Sequence, residues 1–173
     1  MGALIDHRQD QQYYQNAYAK VTFTRADVDW NVLAGIYARA PLAVRTAAEI
    51  KRAFANSYLC CLAWVDGQLA GAARAMSDGV FYATVLDVAV EPGFQGAGIG
   101  RKMMKELLRR LPVQKVYLTT VPGKEGFYEN LGSPRQTNAM GLFPLSTREE
   151  AVERGVPVEL GRTRLVRALP LQP

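Results

Sequence analysis

The run Gln95-Gly96-Ala97-Gly98-Ile99-Gly100-Arg101-Lys102 brings three glycines and two cations to the junction between an apolar segment and an amphipathic one. The first turn of a helix leaves backbone N–H groups unpaired and carries a partial positive charge. Glycine lets such a backbone close around an anion without interference from a Cβ. Each charge-assisted hydrogen bond contributes about 1.5–3 kcal/mol, so several amides plus a cation would hold a diphosphate. Two familiar nucleotide patterns do not fit. The spacing G-x-x-x-x-G-K-[ST], begun at Gly96, puts Met103 where the hydroxyl residue belongs. The spacing G-x-G-x-x-G puts Arg101 at the third glycine. A tight turn that merely starts a helix is the alternative reading.

Residue counts exclude other chemistries. The single histidine, His7, lies in a polar N-terminal stretch, and the two cysteines, Cys60 and Cys61, are adjacent. A zinc site needs donors at spacings such as C-x₂₋₄-C, so no metal site is expected. A nucleophile–histidine device needs a histidine on a rigid element. Cys60 and Cys61 stand in an apolar run and read as reduced packing residues, which favours a cytoplasmic protein. The longest apolar run, Tyr58 to Val65, falls far short of the ~20 residues of a membrane helix. The start MGALIDHRQD lacks the apolar stretch of a secretory signal. Lys plus Arg outnumber Asp plus Glu by 21 to 16, giving +5, which suits an anionic partner. The charges are dispersed, and no basic-aromatic face points to nucleic acid.

At 173 residues and 49% hydrophobic composition the chain suffices for one domain with a real core. Residues 1–19 read as a polar extension with three tyrosines, residues 20–145 as the domain, and 146–173 as a helix and strand tail packing on it. Lys20 to Thr24 alternates as a strand. Thr24 to Asp27 resembles a capping box, and Val28, Val32, Leu33, Ile36 and Ala40 follow at helical spacing until Pro41. Arg45 to Asn56 reads as a second helix. Ser57–Val65 and Leu69–Met76 flank Asp66-Gly67, a hairpin turn, and Ser77-Asp78-Gly79 turns into Val80–Val90. The end of that segment is apolar on both faces except at Asp87, as expected of a central, doubly covered strand. Gly98 to Leu111 reads as an amphipathic helix stopped by Pro112, Lys115 to Thr120 as a strand, Glu125 to Leu131 as a short helix, and Asn138 to Leu145 as a last strand. Antiparallel meander first and strand-helix-strand second predict an α/β fold, a mixed sheet with helices on both faces.

Gln95-x-x-Gly98-x-Gly100, behind Asp87-Val88-Ala89-Val90-Glu91-Pro92 and ahead of Phe127-Tyr128-Glu129-Asn130-Leu131-Gly132, resembles the GNAT N-acetyltransferase superfamily over residues 20–145. Arg74 to Gly79 with Ala83-Thr84 resembles its small-amine, serotonin-type branch. Two departures stand out. Val121 and Pro122 replace an asparagine frequent in the family, and Ser133 replaces the phenylalanine usual after Leu-Gly.

The resemblance implies a GNAT-type sheet whose fourth and fifth strands run parallel and splay. It also implies acetyl-CoA as the donor and a small-molecule amine as the acceptor. Val88, Ala89 and Val90 would meet the pantetheine arm, one backbone N–H polarising the thioester carbonyl. Gln95, Gly96, Ala97, Gly98, Ile99, Gly100 and Arg101 would hold the diphosphate. Phe127 and Tyr128 would lie at the sulfur, with Tyr128 protonating the leaving thiolate. Asp87 is the candidate base for the amine, or else a brace for neighbouring backbone. Trp30, Tyr37, Phe81 and Tyr82 form an aromatic pocket wall or belong to the core, and Arg74, Ser77 and Asp78, with Thr84, shape the acceptor pocket or serve the strand and turn. Three readings compete: a small-amine acetyltransferase, a protein lysine or N-terminal acetyltransferase, and a non-catalytic acyl-CoA sensor. A homodimer paired through the tail strand is a further expectation.

Overall fold

A computed structural model describes residues 19–40, 42 and 44–139. The chain divides into two compact units, residues 1–119 and 120–173. The first holds a five-stranded sheet in the order β1 (Lys20–Thr22), β2 (Leu59–Val65), β3 (Gln68–Ser77), β4 (Tyr82–Val90) and β5 (Lys115–Leu118). The first three pairings are antiparallel and β4 with β5 is parallel. That change of sense follows from connection length. Asp66 (φ 49°) and Gly67 (φ 79°) turn β2 into β3 in two residues, whereas a parallel neighbour requires a crossover.

Between β1 and β2 lie α1 (Trp30–Arg39) and α2 (Ala47–Ala55); α3 (Ile99–Leu108) makes the crossover. The expected capping box at Thr24 is corrected. The Thr24 hydroxyl accepts from the Ala26 N–H in a local turn, and Asp29 caps α1 by accepting from Asn31 and Val32. The capping box belongs to α2, where Thr46 and Glu49 satisfy each other's backbone N–H groups. α1 ends one residue ahead of Ala40-Pro41, because the residue before proline disfavours helical backbone.

Alternation along the strands splits the sheet into two faces. Cys60, Leu62, Ala72 and Ala89 pack with Leu33, Ile36 and Tyr37 of α1 and with Ile50 and Phe54 of α2. Cys61 faces the other way, its thiol donating to the Met103 carbonyl of α3. α3 buries Ile99, Met103, Met104 and Leu107, each stabilising the fold by roughly 1.5–3 kcal/mol. Small residues let the helix approach: a Cβ on Gly71 would stand 2.7 Å from the Ala89 carbonyl oxygen and 3.1 Å from Met103 Sδ. The doubly covered character expected of the β4 segment is only partial, since Ala83, Val85 and Ala89 are buried while Leu86, Asp87 and Val88 are half-buried. Val80 and Phe81 belong to the turn, not the strand.

In the second unit α4 (Glu125–Glu129) runs to Asn130, and Gly132 (φ 86°) reverses the chain. The expected extension 1–19 (except Ala19), the strand 138–145 beyond Ala139, the tail 146–173 and His7 lie outside the described residues. Among the described residues no helix is long and apolar enough to cross a membrane, and no cluster of His, Cys, Asp and Glu could hold a metal ion.

Candidate active site

The parallel ladder joins Tyr82, Ala83, Thr84 and Val85 to Lys115, Val116, Tyr117 and Leu118, and there it stops. β4 continues for five residues, Leu86 to Val90, with no strand on that edge among the described residues. On the other edge the register slips: Ala72 faces Ala89 while Arg74 faces Leu86, so Asp87 and Val88 together oppose Ala73. This is a β-bulge, which bends its strand and increases the local twist. Its first residue, Asp87, has φ 55°, a left-handed conformation that aspartate tolerates better than most residues.

The Asp87 carboxylate is shared by two guanidinium groups. Arg74 Nε donates to Oδ2 at 2.5 Å and Arg45 Nη1 to Oδ1 at 2.7 Å. The Asp87 side chain is 8% exposed, Arg74 14% and Arg45 38%. Arg74 also reaches the Ser57 hydroxyl at 3.4 Å. The Asp87 carbonyl accepts from the hydroxyl of Tyr37, a residue with no exposed surface. Burial, and secondarily the negative charge of Asp87, push the Tyr37 phenol far above its ordinary range, so it stays a donor at every working pH. Sequence reasoning missed Arg45 altogether. The signal was present, because an acid in an apolar strand demands a cation, and Arg74 alone leaves one oxygen unserved.

At the end of β4 the Glu91 N–H donates to the Ala70 carbonyl. Backbone groups alternate along a strand, so Ala89 also faces β3, and Val90 faces the edge that β5 has left. The Gln95 amide donates to the Val90 carbonyl at 2.9 Å, folding the loop back on that edge. Glu91 is held from the other side by the fork of Arg39, at 2.9 and 2.8 Å. Gly96 (φ 82°) and Gly98 (φ 78°) then carry the chain into α3 in left-handed conformations, and Gly98 is the N-cap with no side chain to satisfy the first amides. A Cβ on either glycine would meet nothing within 4 Å, so the turn is open in that direction. Ile99, Gly100 and Arg101 form the first turn, and Arg101 is exposed. An anionic group fits here by donor chemistry. Lys102, read as a second cation for the loop, instead donates to the Ala19 carbonyl at 2.5 Å.

The remaining assigned residues separate. Trp30 packs edge-on against Phe54, centroids 5.6 Å apart, beside the core. Phe81 is exposed, and Tyr82 stacks on Tyr117 at 6.2 Å, at the start of β4, with Thr84 half-buried within the same paired stretch. Ser77 and Asp78 build the turn. Ser77 donates to the Tyr82 carbonyl, and one Asp78 oxygen accepts from the N–H groups of Val80, Phe81 and Tyr82. Those backbone donors hold the Asp78 carboxyl below its ordinary range. In the second unit Phe127 and Tyr128 meet edge to face at 4.9 Å, and burial raises the Tyr128 phenol above its ordinary range. A cleft of about 610 Å³ lies between α1 and the β2–β3 turn, lined by Asp27, Arg39, Trp64 and Glu91 among others. None of the assigned site residues lines it.

Comparison with known proteins accords with this geometry. Residues 26–132 match the Acetyltransferase (GNAT) family. The chain is 36% identical over 120 residues to Serotonin N-acetyltransferase 2, chloroplastic, of Oryza sativa subsp. japonica, covering 65% of this chain and 60% of the relative. It is 37% identical over 83 residues to Histone acetyltransferase TAP1 of Glycine max, covering 44% of this chain and 36% of that one. The chain thus spans less than two thirds of the length of either relative. The crystal structure of a putative acetyltransferase from Deinococcus radiodurans R1 superposes with a TM-score of 0.64 at 28% identity, covering 81% of this chain and 94% of the other. A sheet split beside a bulge, a glycine turn at the following helix and a family match across most of the first unit lead to one statement: the chain belongs to the GNAT acetyltransferase family.

Proposed function

We propose that the protein is an acetyl-CoA-dependent N-acetyltransferase acting on the primary amine of a small molecule. The observation that carries this reading is the stretch Leu86 to Val90 of β4, bulged at Asp87, without a strand on its β5 side among the described residues, and continuous with an open glycine turn at the start of α3. When bound, acetyl-CoA supplies an acetyl group activated as a thioester, the C–N bond to the amine forming as the C–S bond breaks. The amides of Gly96 to Arg101 would hold its diphosphate, with Arg101 adding charge. Val88 and Val90 would offer backbone groups to the pantetheine arm, and the Val88 N–H would stabilise the negative charge that gathers on the acetyl oxygen.

Proton movements balance. The amine, with a reference pKa near ~10.4, gives up a proton and the sulfur takes one. Tyr128 is the proposed donor to sulfur, because burial keeps its phenol protonated at neutral pH. Both Asp87 oxygens already accept from arginines, so a proton arriving there would remove the negative charge that both guanidinium groups face. Asp87 is therefore assigned to bracing the bulge, with water carrying the amine's proton to solvent and solvent returning a proton to the Tyr128 phenolate. The activity named for the rice relative supports a small acceptor. The soybean relative's supports a second reading, acetylation of a protein amine. A reducing compartment such as the cytoplasm suits the free thiols of Cys60 and Cys61.

Free-thiol release from acetyl-CoA, measured against serotonin, tyramine, spermidine and a lysine-bearing histone-tail peptide, tests the proposal. Turnover with one or more of the small amines supports it. Turnover on the peptide alone selects the second reading, and binding of CoA without thiol release on any acceptor selects the non-catalytic sensor. Tyr128→Phe should keep CoA affinity and slow turnover; an unchanged rate removes Tyr128 from the mechanism.

A further inference from the structure

Backbone alternation orients most groups on the open edge of β4, with one exception. The Val88 N–H belongs to the peptide that joins the two bulge residues, where alternation breaks. That peptide has more than one accessible orientation unless something holds it, since a left-handed residue other than glycine sits in a sparsely populated region. Three contacts hold it. The Tyr37 hydroxyl donates to the Asp87 carbonyl at 3.2 Å from inside the core. Arg74 grips the Asp87 carboxylate from β3, and Arg45 grips it from the segment ahead of α2. No peptide bond among the described residues is cis. In a trans peptide the carbonyl and the following N–H point in opposite directions. Fixing the Asp87 carbonyl on Tyr37 therefore fixes the Val88 N–H away from α1.

We infer that Tyr37, with Arg74 and Arg45, is a positioning device that sets the direction of the Val88 N–H, the backbone donor to the acetyl oxygen. The inference rests on the proposed acetyl-CoA reading. It gives Tyr37 a role unlike that of a pocket-wall aromatic: its ring is core, and its one polar atom acts on the peptide next to the reaction. Tyr37 touches neither donor nor acceptor and works through the backbone. Directional hydrogen bonds weaken steeply off axis, so a peptide released to rotate would lose part of the roughly 10²–10³-fold rate effect of a missing oxyanion donor.

The test follows backbone amides by ¹H–¹⁵N NMR as acetyl-CoA is added to the wild-type chain, to Tyr37→Phe and to Arg45→Gln. In the wild type the amides of Gly96, Gly98 and Gly100 should shift with the diphosphate, and Val88 should move downfield as it donates to the acetyl oxygen. In Tyr37→Phe the glycine amides should shift as before while the Val88 shift is lost or at least halved. Arg45→Gln lies on an exposed segment, should leave the fold intact, and should reduce the Val88 shift in the same sense. Where a productive amine is in hand, Tyr37→Phe should lower kcat about tenfold with the KM for acetyl-CoA within twofold. A Val88 shift equal in wild type and both variants overturns the inference and leaves the acetyl-CoA reading standing. Absence of any glycine-amide shift in the wild type overturns the reading itself.

Discussion

Replacing Asp87 separates its backbone duty from its charge. Three substitutions divide the contributions. Asp87→Asn keeps shape and tolerance of φ 55° but loses the charge facing Arg74 and Arg45. The Arg74 contact is well buried, and a hydrogen bond to a charged group contributes about 1.5–3 kcal/mol. The Arg45 side is more than a third exposed, so solvent screening reduces it to roughly 0–1 kcal/mol. Asp87→Asn should thus cost about 1.5–4 kcal/mol. Asp87→Ala loses the same contacts and adds a left-handed penalty of roughly 1–2 kcal/mol. Asp87→Gly avoids that penalty but gains about 0.4–1 kcal/mol of unfolded-state freedom. The expected order of stability is wild type, Asn, Gly, Ala, with Gly above Ala by about half to one kcal/mol. Urea denaturation with common slopes measures it, and thiol release measures the rates in parallel. If Asp87 braces the bulge, rates follow the same order as stabilities. If all three variants lose turnover equally, Asp87 takes the amine's proton directly and its assignment as a brace is wrong. If Ala is as stable as Gly, the left-handed conformation is not what the folded chain adopts.

Other consequences are open to measurement. Gly71→Ala would put a Cβ 2.7 Å from the Ala89 carbonyl oxygen, so β4 must shift; a loss of about 1–3 kcal/mol in denaturant unfolding and weaker CoA binding should follow. Gly98→Ala meets no protein atom but holds φ 78°, so its stability cost should stay near 1–2 kcal/mol while CoA-induced thermal stabilisation falls by more than that of Gly93→Ala, a site that is equally open and has no left-handed requirement. The Asp78 carboxyl is held down by backbone donors, so its contribution is complete above the unfolded value of ~3.9 and is lost as pH falls through the lower folded value; Asp78→Asn should flatten Tm against pH in that acid range and nowhere above it. Burial pushes the Cys61 thiol up to about 12, so a thiol reagent at pH 8 should leave it unmodified in the native protein and label it on unfolding; rapid native labelling would contradict its packing against α3.

What the sequence discloses depends on the range of the interaction. Asp66-Gly67 and the stripe from Ile99 to Leu107 act through neighbours a few residues away, and their elements stand where the spacing predicts. Thr24 misleads for the same local reason: a hydroxyl three residues ahead of an acid can cap a helix or close a small turn, and only the competing Asp29 decides which. Asp87 is visible as a lone acid in an apolar strand, yet its partners come from 13 and 42 residues away, and Tyr37 reaches its carbonyl across 50. The bulge itself is illegible in advance. It exists because Arg74 faces Leu86 while Ala72 faces Ala89, a slip by one residue that no periodicity encodes.

The slip also connects the site's two halves. An unbroken β4 would keep every backbone group from Leu86 to Val90 in strict alternation, and its twist would keep it beside β5 for longer. One extra residue at Asp87 bends the strand just past Val85, where the parallel ladder ends, and delivers Val90 to the Gln95 amide that folds the glycine turn back. The left-handed aspartate and the split edge then meet at a single insertion, held by one phenol and two guanidinium groups. Removing what holds the bulge should therefore disturb the donor peptide first and the glycine turn only through Val90.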